Sequence, residues 1–247
     1  MPLREEWEAQ GNWLFRWRSY LPIALCALFV WAVIDFQYAG KSHAYQEALM
    51  TTCVLVSCAG LAVRALVVGY APKGTSGRNT SAGQIAQSLN TAGMYSLVRH
   101  PLYLGNFLIW LGIPLFFHNA WVLTVFCLVY WLYYERIMFS EEEFLRRKFG
   151  PEYVNWAAET PAFIPRLTGW RKPPLPFSWR NVLRREYTAF FGILMAYGIL
   201  ETLEHAVVER RLVVEAHWRV LLPLAVVIYL VLRTLKRRTT LLLEAGR

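Results

Sequence analysis

Two clusters of polar residues interrupt an otherwise apolar chain, and both carry groups able to hold a charged ligand. The first reads Gly93-Met94-Tyr95-Ser96-Leu97-Val98-Arg99-His100-Pro101-Leu102-Tyr103-Leu104-Gly105-Asn106. Arg99 and His100 precede a proline, which predicts extended or turn backbone just ahead of an apolar run. A guanidinium and an imidazole at such a boundary suit an anion. Gly105 and Gly112 share one helical face, which lets a neighbouring helix or a ligand approach the backbone closely. The second cluster runs from Tyr134 through Glu141-Glu142-Glu143 and Arg146-Arg147-Lys148 to Gly150 and Tyr153, with Pro161 and Pro165 beyond. Adjacent carboxylates suit a cation or ribose hydroxyls. The same residues also read as a solvated helix with acid–base pairs four apart.

The elements that must position these clusters are membrane helices. Six segments approach the roughly 20 apolar residues that a crossing needs: Ser19–Phe36, Ala48–Tyr70, Tyr103–Phe117, Trp121–Phe139, Tyr187–Leu203 and Trp218–Leu235. The third is short, and Glu201 and Glu204 limit the fifth. A turn at His118-Asn119-Ala120 joins the third to the fourth. Lys and Arg concentrate in the N-terminus, the loops 71–102 and 140–186, and the tail; the alternate connections hold few cations. The positive-inside rule then places both termini and both long loops in the cytoplasm. The expected fold is an all-α polytopic bundle of about six spans. Its expected divisions are an interfacial segment 1–18, two spans in 19–70, a catalytic core 71–166, and a linker with two further spans in 167–247.

Composition supports that reading. Hydrophobic residues make up 56% and charged residues 17%, below the quarter usual for soluble domains. The net charge of +9 is read as loop charge facing anionic headgroups, and no nucleic-acid partner is expected. Cys26, Cys53, Cys58 and Cys127 lie inside apolar runs without metal-ligand spacing, so neither a disulfide framework nor a zinc site is expected. No cleavage site follows the first apolar run, which is expected to remain as a span. Residues 7–18 read either as an interfacial helix or as an aromatic anchor for that span. Arg64, inside the second span, must face protein, water or a bound anion, or snorkel to the edge. In 73–80, Lys73, Arg78 and Asn79 stand among Gly, Ser and Thr, either as a phosphate nest or as a flexible polar linker; the P-loop spacing is missing.

Together, Gly-x-Tyr-x-x-x-Arg-His-Pro-x-Tyr-x-Gly (93–105) and Glu-Glu-x-x-Leu-x-x-x-Phe-Gly-x-x-Tyr (141–153) resemble the paired signature of the isoprenylcysteine carboxyl methyltransferase and phospholipid methyltransferase superfamily. Trp156 stands where many members have a second Tyr. The resemblance covers residues 93–165. It implies S-adenosylmethionine as cofactor, held by Tyr95, Val98, Arg99, His100, Pro101, Tyr103, Gly105, Asn106, Glu141 and Glu142. Arg99, His100 and Glu142 are then the expected catalytic residues, and Arg64, Lys73, Arg78 and Asn79 the expected substrate contacts. The implied acceptor is a membrane lipid or a lipidated molecule, at the cytoplasmic face of a bacterial inner membrane. A non-catalytic accessory protein, a reductase-like relative and a small-molecule transporter are the competing readings. The long basic loops and the lack of an internal repeat weigh against transport.

Overall fold

A computed structural model describes residues 2–18, 20, 23, 25–34, 36–38, 42–75, 78–80 and 83–247, with the side chains of 78–80 and 83–85 outside that set. The chain order is α1 (Leu3–Trp17), α2 (Leu25–Ile34), α3 (His43–Tyr70), a small hairpin β1 (Arg78–Thr80) and β2 (Gly83–Ile85), and a 3-10 turn at Gly93–Ser96. Then come α4 (Pro101–Phe116), α5 (Ala120–Phe149), α6 (Pro151–Glu159), α7 (Trp179–Val208) and α8 (Ala216–Arg238). The hairpin is antiparallel, pairing Arg78 with Ile85 and Thr80 with Gly83.

Among the described residues four helices, α3, α5, α7 and α8, are long and apolar enough to cross a membrane. Of the six expected spans, four correspond to these helices and α4 is a shorter apolar helix; the first, 19–36, contains the apolar helix α2 and lies partly outside the described residues. Proline sets the length of α4: Pro101 opens it and Pro114 lies near its end. Its 16 residues rise about 24 Å, short of a hydrocarbon core roughly 30 Å thick. The expected turn follows, with His118 at φ 39° and the Asn119 side chain accepting hydrogen bonds from the amides of Trp121 and Val122.

Two helices run further than their apolar stretches. α5 continues past Phe139 to Phe149 and stops at Gly150, where φ is +53° and Pro151 follows. Glu141 and Glu142 consequently ride on the rigid end of a long helix. α7 spans Trp179–Val208, so Glu201 and Glu204 do not end it. Both are buried: Glu201 accepts a hydrogen bond from Trp218 Nε1, and His217 Nε2 lies 3.3 Å from it. For Glu201, partners on α8 offset the burial cost that the apolar pattern alone would assign.

Glycine governs the close contact of α3 with α4. A Cβ added at Gly60 would stand 2.5 Å from the Gly105 carbonyl oxygen, and one at Gly105 would stand 2.9 Å from that of Gly60. One turn pair further, Gly112 faces Cys53, Ser57 and Tyr197, so the shared glycine face meets protein. The Tyr197 hydroxyl donates to the Cys53 carbonyl at 2.8 Å and lies 2.8 Å from Ser57 Oγ, tying α7 to α3. α1 is a docked helix, running antiparallel along the far half of α5. Gly11 abuts the Arg136 carbonyl, Arg136 stacks 3.6 Å over the Trp7 ring, and Arg4 and Glu8 pair with Glu143 and Arg147.

Candidate functional site

The first polar cluster is held in place by its own backbone. Past α6 the chain returns beside it: the Arg99 amide donates to the Pro161 carbonyl at 2.8 Å, and the His100 amide to that of Ala162 at 3.1 Å. The Arg166 amide bonds the Leu97 carbonyl, and the Gly93 amide bonds that of Arg171. The segment around Pro161 and Pro165 thus braces the stretch that leads into α4. His100, at φ −119° and ψ 58°, is the residue before the helix, as its place ahead of Pro101 predicts.

The second cluster meets the first side chain to side chain. Glu142 Oε1 accepts from Arg99 Nε at 2.9 Å and lies 2.9 Å from His100 Nε2. Arg99 Nη1 donates to the carbonyls of Ala157 and Thr160 at the end of α6, so Nη2 is the edge left for an anion. Glu141 accepts from the Tyr103 hydroxyl at 2.8 Å and lies 3.7 Å from His100 Nδ1. The His100 ring stacks on Tyr103, whose ring packs in turn against Tyr134. The two adjacent glutamates have separated roles in space: Glu142 ties the loop to α5, whereas Glu141 faces a cavity.

That cavity, of about 330 Å³, is walled by Tyr95, His100, Tyr103, Asn106 and Glu141, and three guanidinium groups reach it, those of Arg18, Arg64 and Arg99. Burial, with the nearby Glu141 charge, pushes the Tyr95 phenol above its usual range, so it stays a neutral donor. Trp156, the departure from the family pattern, keeps a polar handle by donating Nε1–H to the Tyr95 carbonyl at 3.2 Å. Arg64 is satisfied by protein: Nε and Nη2 take both oxygens of Glu186 at 2.7 and 3.0 Å, and Nη1 donates to Asn106 Oδ1.

Of the residues singled out from sequence, Tyr95, Arg99, His100, Pro101, Tyr103, Asn106, Glu141 and Arg64 come together at the cavity. Val98 is fully buried behind it, and Gly105 faces Arg64 and Gly60. Lys73 is exposed, its amide bonded to the Gly246 carbonyl. Arg78 and Asn79 lie in β1, and their side chains fall outside the described set. Sequence reasoning missed Arg18 and Thr75 in the lining, and Glu186 as the partner of Arg64. The charged Arg184-Arg185-Glu186 step at the start of the fifth span was the available signal for the last.

These features define a helical membrane protein with a polar pocket built at one end of its bundle. Residues 50–152 match the family model described as phospholipid methyltransferase. Similar proteins include the cobalt-zinc-cadmium resistance protein CzcN of Cupriavidus metallidurans, 40% identical over 36% of this chain and 41% of that protein. The nickel-cobalt-cadmium resistance protein NccN of Alcaligenes xylosoxydans xylosoxydans is 31% identical over 50% of this chain and 59% of its own length. Protein-S-isoprenylcysteine O-methyltransferase of Schizosaccharomyces pombe is 28% identical over 61% of this chain and 60% of that protein. The chain thus spans between two and three fifths of these relatives. No solved structure matches. The matches over residues 50–152 and to the isoprenylcysteine methyltransferases support the isoprenylcysteine and phospholipid methyltransferase superfamily.

Proposed function

We propose that this chain transfers the methyl group of S-adenosylmethionine to a lipid or lipidated acceptor at the membrane surface. The observation that carries the reading is the joining of the two motif halves around one cavity, with Glu141, Tyr103 and His100 on one wall and three guanidinium groups at hand. The donor set suits the cofactor. A carboxylate and tyrosine rings favour a cationic sulfonium or ammonium, and the free Nη2 edge of Arg99 favours a carboxylate. When bound, the cofactor supplies an electrophilic methyl group; the chain's own work is to align the acceptor and exclude water.

Glu142 is a positioning residue in this reading, since its oxygen is engaged by Arg99 and His100. Arg18 and the Nη2 edge of Arg99 favour an acceptor that is already anionic, which needs no general base. A lipid acceptor enters from the bilayer side, and the polar cofactor from the cytoplasm where the basic loops are expected to lie.

The test is calorimetric titration of S-adenosylmethionine into the detergent-purified chain and its His100→Ala and Glu141→Ala variants, followed by transfer of labelled methyl to membrane lipids. Binding by the wild type, weakened at least about tenfold in both variants, supports the reading. Absence of binding by the wild type overturns it. A second reading, service in metal resistance, is favoured by the names of two relatives. Unchanged cobalt and cadmium tolerance on deletion would remove it.

A further inference from the structure

The end of the bundle away from the cavity gathers a different chemistry. α3 begins at His43, and α7 ends beside His205 and Glu209. One ligand atom from each of these three residues lies within 4.8 Å of the others. His205 Nδ1 is 3.4 Å from Glu209 Oε1. Donors about 2.0–2.1 Å from a tetrahedral ion stand roughly 3.3 Å apart, so this pair is already at ligand spacing. The two imidazole rings are 5.3 Å apart and inclined by 31°. The Tyr38 hydroxyl donates to Glu209 Oε1 at 2.9 Å and lies 3.4 Å from His205 Nδ1, holding the carboxylate toward the rings.

We propose that His43, His205 and Glu209 bind a divalent transition-metal ion. The alternative is a plain histidine–glutamate ion pair. That alternative leaves His205 Nε2 and Glu204 Oε2 without a hydrogen bond at this end, on residues only 2% and 3% exposed. The metal site gives the His205 ring a defined tautomer. His205 Nε2 faces Glu215 Oε1 at 3.5 Å, so an Nε2–H tautomer directed at that carboxylate presents the Nδ1 lone pair to the ion. A carboxylate behind a metal-binding imidazole is the usual second partner. His43 also has a carboxylate neighbour, with Nδ1 3.7 Å from Glu47 Oε1. Glu47, Glu201, Glu204, Glu209 and Glu215 all gather at this end, a field that draws cations.

The donor types select the class of ion. Two imidazole nitrogens and one carboxylate, with no thiolate, suit Zn²⁺, Co²⁺, Ni²⁺ or Cu²⁺, whereas Mg²⁺ and Ca²⁺ prefer all-oxygen shells. Glu209 is exposed to solvent, which gives the ion an entry path. The spacing His-x-x-x-Glu occurs both at 43–47 and at 205–209, placing each acid one turn from its histidine. The inference rests on this end of the bundle alone and stands or falls apart from the methyltransferase reading.

The experiment titrates Co²⁺ alone into the full, tag-free, chelator-stripped protein in detergent, reading visible absorption, with Zn²⁺ competition to measure affinity. The expected result is one ion per chain. Affinity should drop at least about tenfold in His205→Gln and in Glu209→Gln, and about 10–100-fold in Glu215→Gln. Glu209→Gln alters an exposed side chain, and matching far-ultraviolet dichroism without metal checks its fold. Zn²⁺ should also raise the wild-type Tm and leave that of Glu209→Gln unmoved. A wild type that takes up no Co²⁺, or folded variants that bind it as the wild type does, would overturn the proposal.

Discussion

The two ends of this bundle are built on the same helices and treat charge in opposite ways. At the cavity end three carboxylates meet guanidinium groups: Glu142 with Arg99, Glu186 with Arg64, and Glu143 with Arg4. At the far end carboxylates meet imidazoles, and two buried polar atoms lack hydrogen bonds. Arg64 lies 21 residues beyond His43 on α3, about 30 Å along the helix axis. Guanidinium–carboxylate pairs frame the cavity at one end, whereas at the other two histidines and a glutamate converge, the group proposed above to hold an ion. With that separation and no shared partner, changes at one end should leave the other untouched.

The largest effect should come from breaking a buried pair at the cavity end. Arg64→Ala strands Glu186, whose side chain is only 5% exposed, and should destabilise by about 3–5 kcal/mol in detergent unfolding. The double change Arg64→Met with Glu186→Leu should recover most of that stability while losing cofactor binding. Equal losses in the single and double variants would mean that the ion pair matters less than side-chain packing.

Gly112→Val tests the helix contact common to both ends. The added side chain meets Ser57, Cys53 and Tyr197, so a loss of about 1–3 kcal/mol and a lower Tm are expected. An unchanged Tm would show that α3 and α4 separate without cost.

Independence of the ends gives a prediction of no effect. His205→Gln should bind S-adenosylmethionine within about twofold of wild type, because additivity holds for distant sites. A tenfold loss by calorimetry would join the ends into one coupled system.

The smallest effect belongs to the α1 strap. Arg147 holds the Glu8 carboxyl below its usual range, chiefly through their hydrogen bond. Because the folded value is depressed, the contribution is present above the unfolded carboxylate value, about 4.3, and fades as pH falls through the folded one. The pair is largely exposed, so Arg147→Ala should cost at most about 1 kcal/mol at pH 7 and less in high salt. A loss that does not shrink between pH 7 and pH 3 would point to packing of the arginine stem instead.

Particular residues show what patterning could and could not reveal. The His118-Asn119-Ala120 turn, the short α4 and the glycine face of Gly105 and Gly112 were all legible, because each depends on local backbone preference or helical period. The reach of α7 through Glu201 and Glu204 was not. A carboxylate reads as the end of a span unless the partners that bury it, for Glu201 on α8, are known. The far-end cluster was equally hidden: attention to cysteine spacing missed two histidines that lie 162 positions apart.

The sequence by itself determined that polar motifs flank apolar helices, and which residue types could hold a charged cofactor, because spacing along a helix or ahead of a proline is a local matter. Only the tertiary structure decided that Glu141 faces the cavity while Glu142 anchors the loop, and that Glu186 takes up Arg64. It also decided that α3 and α7 bring His43 to His205. Those outcomes turn on which helix faces meet; a glycine face or a charge inside an apolar run can be read along the chain, but the partner it meets is fixed only when the helices pack.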